Sequence, residues 1–336
     1  MLEKLKRITL KNINYLANVR LKGTIRELLV SALENKLEIY QVFEKKAIFI
    51  LKKGKKTVWI HRALTSSSNP VGVNIARNKH LTKEILNKLG YPTAPSKIVK
   101  TLAELESLPD ELGFPLVMKP LSEGGGKGVT ININNKKLLR DSFLISKQFD
   151  GKVLVEKHVE GDYYRITYVA DGSYAATKNL PAYITGDGES TALELIKKEN
   201  RWNKERVAEG RLKKIKISEK TERLLMSEGY NLDSILPEGK KVPLCFSGFD
   251  GGEYIDVTEK IHPCYVKMAK DIADTFQLPI IGIDIIAKNI EEPLGRSNGV
   301  IIEINGTFPD IQFHNKPTIG ISRNLAPALI KYLFKK

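Results

Sequence analysis

Apolar residues recur along this chain in two rhythms, one helical and one alternating. Residues 24–37 carry helical spacing. KAIFILKK and KTVWIH, on either side of Gly54, read as the two strands of a hairpin. TSSSNPVG at 65–72 is a turn-rich linker. In IARNKHLTKEILNKLGYP, Leu81, Ile85, Leu86 and Leu89 fall on one face of a helix that Gly90 and Pro92 end. Residues 114–133 read as strand, tip, strand, and 136–149 as a helix. VLVEKHV at 153–159 is a strand closed by a tight turn at Gly161, and YYRITYVADGSYAATKNL is a hairpin turning at Asp171-Gly172. Residues 186–242 are polar and partly helical. His262-Pro263 opens a helix with Val266, Ala269, Ala273 and Phe276 inward, because proline suits the first helical turn. PIIGIDIIAK and GVIIEINGT are two strands joined by a Pro/Gly loop, and an amphipathic helix ends the chain. The class is α+β (α/β), with mostly antiparallel sheets in the second half. The expected units are an N-terminal pre-domain (1–76), a middle unit (77–150) and a C-terminal unit (151–336).

Composition narrows the chemistry. With 336 residues, 42% hydrophobic and 28% charged, the chain buries a sizeable core. No apolar run reaches membrane-spanning length, and MLEKLKRITL has no apolar signal region, so no membrane role is expected. Cys245 and Cys264 are too few for a disulfide framework and read as reduced thiols, which points to the cytoplasm. A net charge of +15 attracts anions, but the lysine pairs are scattered. There is no arginine-rich block and no interleaving with aromatics, which argues against a nucleic-acid platform. A homodimer is left open.

Two constellations carry candidate chemistry. Glu303 and Asn305 are two apart on a strand, so they share a face, with Ile302 and Ile304 on the other. If Asp284 of the preceding strand pairs near Glu303, the midpoint of the connection is Pro293-Leu294, inside the turn-rich EEPLGRSNG. Carboxylates side by side on an apolar sheet repel, and a divalent cation removes that cost. Oxygen ligands favour Mg²⁺ or Mn²⁺ over zinc. The second constellation is LVMKPLSEGGGKGVTI: Lys119 on a strand, Gly124, Gly125, Gly126 and Gly128 at the tip, and Lys127 among them. Glycines let backbone N–H groups approach an anion closely. It is not a Walker A loop, since no Gly-Lys-Ser/Thr opens a helix after it.

Lys79, the glycine-rich tip, VLVEKHVEGDYYRITYV, DVTEKIHP and GIDIIA…GVIIEINGTFPDIQFH, in that order, resemble the ATP-grasp ligases over residues 65–320. The likeness is to the ATP-grasp portion of cyanophycin synthetase and of bifunctional glutathione synthetase. It implies two α+β subdomains gripping ATP between antiparallel sheets, with the small lobe and its flap at 77–150 and the metal site in 151–336. It implies Lys79 and Lys119 at the α- and β-phosphates, and Ser122, Gly124, Gly125, Gly126, Lys127 and Gly128 as a phosphate flap that opens for product release. Glu156, Lys157 and Val159 would line the adenine and hinge, with Asp162 at the ribose. Asp284, Glu303 and Asn305 would hold two Mg²⁺ (or Mn²⁺). Lys119, Lys127 and Arg165 are the candidate catalytic side chains, Arg165 meeting phosphate or a substrate carboxylate.

The implied activity is ATP-dependent ligation of a carboxylate to an amine through an acylphosphate. The substrate would be an amino acid or short acidic peptide, the acidity inferred from the basic segment 197–216. The alternative is a nucleotide-binding module that no longer ligates and instead regulates or binds a partner. Three features depart from the pattern: VPLCFSGFDGGEYIDVT where relatives touch substrate, EINGTFPDIQFH in place of an Asn-x-x-Pro-Gly turn, and Gly282 where D-alanine–D-alanine ligases carry arginine.

Overall fold

The computed structural model describes residues 2, 5–9, 23–43, 47–122, 126–204, 214–245, 251–307 and 309–335. The first sheet is antiparallel and follows chain order: β1 (Lys6–Ile8), β2 (Glu38–Gln41), β3 (Ile48–Lys53), β4 (Lys56–His61) and β5 (Leu64–Thr65). Its β3–β4 hairpin turns at Gly54, as the alternation predicts. The helix Thr24–Glu34 packs beside the C-terminal helix Ala326–Leu333. Leu28, Leu29, Phe49, Leu51, Leu329 and Ile330 belong to one core, so the two ends of the chain are joined by buried apolar surface.

The second sheet forms the small lobe. β6 (Ser96–Val99), β7 (Leu116–Pro120), β8 (Thr130–Ile133) and β9 (Val153–Lys157) lie in the order β6-β9-β7-β8, so the lobe takes in β9. The helix Lys136–Lys147, capped by Asn135, sets Leu139 and Phe143 against Leu116, Met118, Val153 and Val155. Alternation sends Lys119 and Glu156 to the opposite face.

The third sheet is central. β12 (Tyr183–Thr185) and β13 (Lys241–Pro243) first make a separate two-stranded pair, closed over Leu195, Leu225 and Val242. The central sheet itself holds β10 (Asp162–Val169), β11 (Tyr174–Leu180), β14 (Glu253–Asp256), β15 (Ile280–Ala287) and β16 (Gly299–Asn305), in the order β14-β11-β10-β15-β16. The helix Pro263–Phe276 covers one face, burying Tyr265, Met268, Ile272 and Phe276 against Ile166, Ile283, Ile285 and Ile304. His262 caps it, Nδ1 accepting from the Cys264 N–H at 3.2 Å. Among the described residues no helix is long and apolar enough to cross a membrane.

Three details differ from the sequence reading. The linker at 65–72 gives way at Pro70 to a helix, Pro70–Arg77, because Asn69 caps it and proline fits its first turn. The next helix, Lys79–Lys88, buries Thr82, Lys83 and Leu86, while Leu81 and Leu89 are 46% and 40% exposed. Its inward face is therefore turned from the leucine stripe, and an ion pair with Glu156 makes room for Lys83 there. Finally, a bulge between Asp284 and Ile285 sets Ile285 opposite Ile301 rather than Ile302. Ile301 and Ile304, not Ile302 and Ile304, enter the core.

Candidate active site

The register of β15 and β16 places Asp284 directly opposite Glu303, and Gly282 opposite Asn305. Asn305 Nδ2 donates to Asp284 Oδ2 at 2.9 Å. From the other side β10 brings Arg165 opposite Asp284. The guanidinium binds the carboxylate in a fork, Nη2 to Oδ2 at 2.8 Å and Nε to Oδ1. The Tyr163 hydroxyl joins the same carboxylate, and the Phe313 ring lies 5.4 Å from the Arg165 carbon. A Cβ on Gly282 would stand 3.2 Å from Arg165 Nη1, so the guanidinium occupies the space that a side chain at 282 would need.

Burial opposes the charge on Arg165, but Asp284 beside it outweighs burial and holds the guanidinium protonated. Burial, reinforced by Asp284, pushes the Tyr163 phenol well up, so it stays a neutral donor. His314 is 1% exposed and touches Thr167 Oγ1 through Nε2 at 2.8 Å. Burial, then the nearby Arg165 cation, lower its imidazole to about 3.

Facing this patch is the lysine side. Asn78 caps the helix Lys79–Lys88, its side chain accepting from the His80 and Leu81 N–H groups. That cap sets Lys79 at the helix start, with Nζ 3.7 Å from Glu303 Oε1. One turn on, Lys83 reaches β9 and ion-pairs with Glu156 Oε1, while Lys119 Nζ holds Oε2 at 2.6 Å. Lys119 and Glu156 are diagonal neighbours on β7 and β9, since Val117 pairs with Glu156 and Lys119 with Leu154. Burial would raise the Glu156 carboxyl, but the two lysines override it and hold it below the ordinary carboxylate range. Lys83 is lowered, chiefly by burial.

The structure thus brings Lys79, Lys119, Glu156, Arg165, Asp284, Glu303 and Asn305 into two facing groups. The remaining expected residues are more scattered. Ser122 is exposed and its N–H donates to Asp150 Oδ2 at 2.8 Å. Lys127 is exposed, and Gly126 and Gly128 have φ of 71° and 63°. A Cβ on Gly128 would strike Phe149 at 2.7 Å and Pro120 at 2.8 Å, so only glycine passes there. Gly124 and Gly125 lie outside the described residues. Lys157 donates to the carbonyls of Gly113 and Phe114, at 3.2 and 2.8 Å. Val159 is half-buried just after β9. Asp162 accepts from Lys178 Nζ at 2.6 Å.

Lys83, Tyr163 and Lys178 were absent from the sequence-derived site. For Lys83 a signal existed: it stands four residues after Lys79, hence on the same helical face.

Asp284, Glu303 and Asn305 supply two carboxylates and an amide, a donor set that suits a hard divalent cation. Among the described residues no cluster of three His, Cys, Asp or Glu forms a metal site. Both Asp284 oxygens are already engaged, which leaves Glu303 as the more open carboxylate.

Residues 78–170 match a family model described as carbamoyl-phosphate synthase L chain, ATP binding domain. The chain is 31% identical over 318 residues to cyanophycin synthetase of Synechocystis sp., covering 93% of this chain and 36% of that protein. It is 30% identical over 308 residues to the glutathione biosynthesis bifunctional protein of Desulfotalea psychrophila, covering 88% of this chain and 39% of that one. The crystal structure of a bifunctional glutathione synthetase from Pasteurella multocida superposes with a TM-score of 0.63 at 25% identity, over 95% of this chain and 44% of that chain. The chain carries an ATP-grasp domain and is homologous to the matching portions of cyanophycin synthetase and bifunctional glutathione synthetase. It spans less than half the length of these relatives.

Proposed function

We propose that the chain is an ATP-dependent carboxylate–amine ligase, ADP-forming, that makes an amide or peptide bond. The observation that carries this is the facing of lysine against carboxylate, Lys79 Nζ lying 3.7 Å from Glu303 Oε1. A phosphate needs the first group, and a cation bound to that phosphate needs the second. The homology to ligases that use this fold supports the reading.

In the proposed reaction a substrate carboxylate oxygen attacks the γ-phosphorus of ATP, the bond to the bridging oxygen breaks, and ADP leaves. An amine then attacks the acylphosphate carbonyl carbon, phosphate leaves, and the amine proton passes to solvent. No protein nucleophile is required, so positioning and charge do the work. Lys79 and Lys119 hold the α- and β-phosphates. Lys127 with Ser122, Gly124, Gly125, Gly126 and Gly128 closes over the phosphate. Arg165 orients the reacting carboxylate or the transferred phosphoryl group. Backbone groups at Glu156, Lys157 and Val159 read the base, and Asp162 holds the ribose. Asp284, Glu303 and Asn305 would hold Mg²⁺ or Mn²⁺, as two ions, which when bound would neutralise charge on the phosphates.

The substrate class, an amino acid or short acidic peptide, rests on the basic segment 197–216. Of this, residues 205–213, Arg206 and Arg211 included, lie outside the described residues. The thiols of Cys245 and Cys264, neither of them in a disulfide, support the cytoplasm as the compartment. Mass in solution reads whether the assembly is monomer or homodimer.

The test is ADP release from ATP and Mg²⁺ with pools of amino acids and short peptides, followed by mass analysis of the product. Product heavier than either substrate by the expected condensation is the anticipated result. ATP binding with no ADP release in any pool would leave a non-ligating nucleotide-binding module instead.

A further inference from the structure

Lys83 is the one member of the buried lysine–glutamate trio to which the proposed reaction gives no task. Its side chain is 5% exposed. Nζ donates to the Ala94 carbonyl at 2.7 Å and pairs with one oxygen of Glu156, whose other oxygen holds Lys119. Burying an ammonium costs several kcal/mol, and a hydrophobic residue of similar volume would serve packing at least as well. The same helix leaves Leu81 and Leu89 largely in solvent. The buried lysine is thus held at a position where packing alone favours an apolar side chain.

Charge explains the arrangement. Two ammonium groups share one carboxylate, which leaves the trio with one net positive charge. Without Lys83, Glu156 would neutralise Lys119 completely. In so dry a site that attraction is strong, and Lys119, already 2.6 Å from the carboxylate, would be held there more tightly against any phosphate.

We propose that Lys83 is a positioning residue of the nucleotide site: by sharing Glu156 it weakens that carboxylate's hold on Lys119, so that the Lys119 ammonium keeps positive charge to offer a phosphate. This deepens, and rests on, the nucleotide-binding reading above. A corollary is that both Glu156 oxygens are committed to lysines, so the base edge is read by backbone groups at the end of β9 rather than by this carboxylate.

Calorimetric titration of the full chain with MgATP and, separately, with adenosine tests the proposal. Lys83→Gln keeps a donor for the Ala94 carbonyl while removing the charge. It should weaken MgATP binding by about tenfold and leave adenosine binding unchanged, because only the phosphates meet Lys119. Adding Glu156→Gln to Lys83→Gln removes the competitor for Lys119 and should recover most of the lost affinity, which a purely structural role would not do. Lys83→Arg retains the charge and should bind MgATP more tightly than Lys83→Gln.

MgATP binding to Lys83→Gln at wild-type strength overturns the proposal. So does an equal loss of adenosine and MgATP, or a double variant that binds no better than the single one. Should Lys83→Gln not fold, Glu156→Gln alone decides: it should bind MgATP about threefold more tightly than wild type, and weaker binding overturns the proposal. A wild-type chain that binds neither ligand would instead overturn the nucleotide reading and this inference with it. Failure of the Lys83 inference alone is recognised by intact wild-type binding.

Discussion

On the helix side of the central sheet, Ile166, Ile283, Ile285 and Ile304 are between 0% and 2% exposed. On its other side, Arg165, Thr167, Thr177 and Asp284 are between 0% and 4% exposed. The strands are the same, the depth is the same, and only the alternation of side chains separates them. The aliphatic face gains from leaving water. The polar face loses by it, and recovers the loss through the Arg165–Asp284 fork and the bonds from Asn305 and Tyr163. Burial by itself therefore does not separate core from site. A buried face whose polar groups satisfy one another, at no gain in stability over leucine or isoleucine, marks the place where the fold keeps chemistry.

The contrast is sharpest where a charge loses its partner. Asp284→Asn leaves the Arg165 guanidinium buried without a carboxylate and should destabilise the fold by about 3–5 kcal/mol, read from urea unfolding, as well as stopping ADP release. An unfolding midpoint equal to wild type would mean that the polar face is not held by this pair. Glu303→Gln is the cleaner probe of function, because Glu303 is half-buried and its contact with Lys79 is loose. Turnover should fall about a hundredfold or more, while stability stays within about 0.5 kcal/mol. Substantial turnover at saturating Mg²⁺ would remove Glu303 from the proposed metal site.

His314 adds a pH signature to the polar face. Its folded value is about 3 against an ordinary 6.5. Below about pH 6.5 the unfolded chain takes up a proton that the folded chain refuses. Stability is therefore full above 6.5 and is lost progressively as pH falls toward 3, by on the order of 2 kcal/mol at about pH 5. The groups around it are Thr167, Arg165 and Asp256. His314→Gln should flatten this stretch of the stability–pH curve, and an unaltered curve would place the dependence elsewhere. The smallest effect belongs to the aliphatic face. Ile283→Val should cost about 1 kcal/mol of stability with MgATP affinity unchanged in calorimetry. A loss of affinity there would show that the two faces are mechanically coupled.

Much of the carboxylate patch was legible in the order of residues alone. The pairing of Asp284 with Glu303 followed from a midpoint that fell among Pro, Gly, Ser and Asn. The hairpins at Gly54 and Asp171-Gly172 followed from turn chemistry, and the start at His262-Pro263 from helix-capping preference. The bulge that exchanges Ile301 for Ile302 was not legible, because it depends on the fit of β15 to β16 rather than on either strand alone. Nor was the inward face of the helix Lys79–Lys88, where periodicity favoured the leucines.

The chain's own order of residues set its elements, its turns, and the grouping of Asp284, Glu303 and Asn305. Each of these depends on neighbours a few residues or one hairpin away. The partners of the buried charges depend on something else. Arg165 meets Asp284 across 119 residues of chain because the sheet lays β10 beside β15. Lys83 meets Glu156 because a helix from one segment docks over a strand from another. A buried charge is tolerable only beside its opposite, and which opposite stands there is settled by packing between segments remote in sequence.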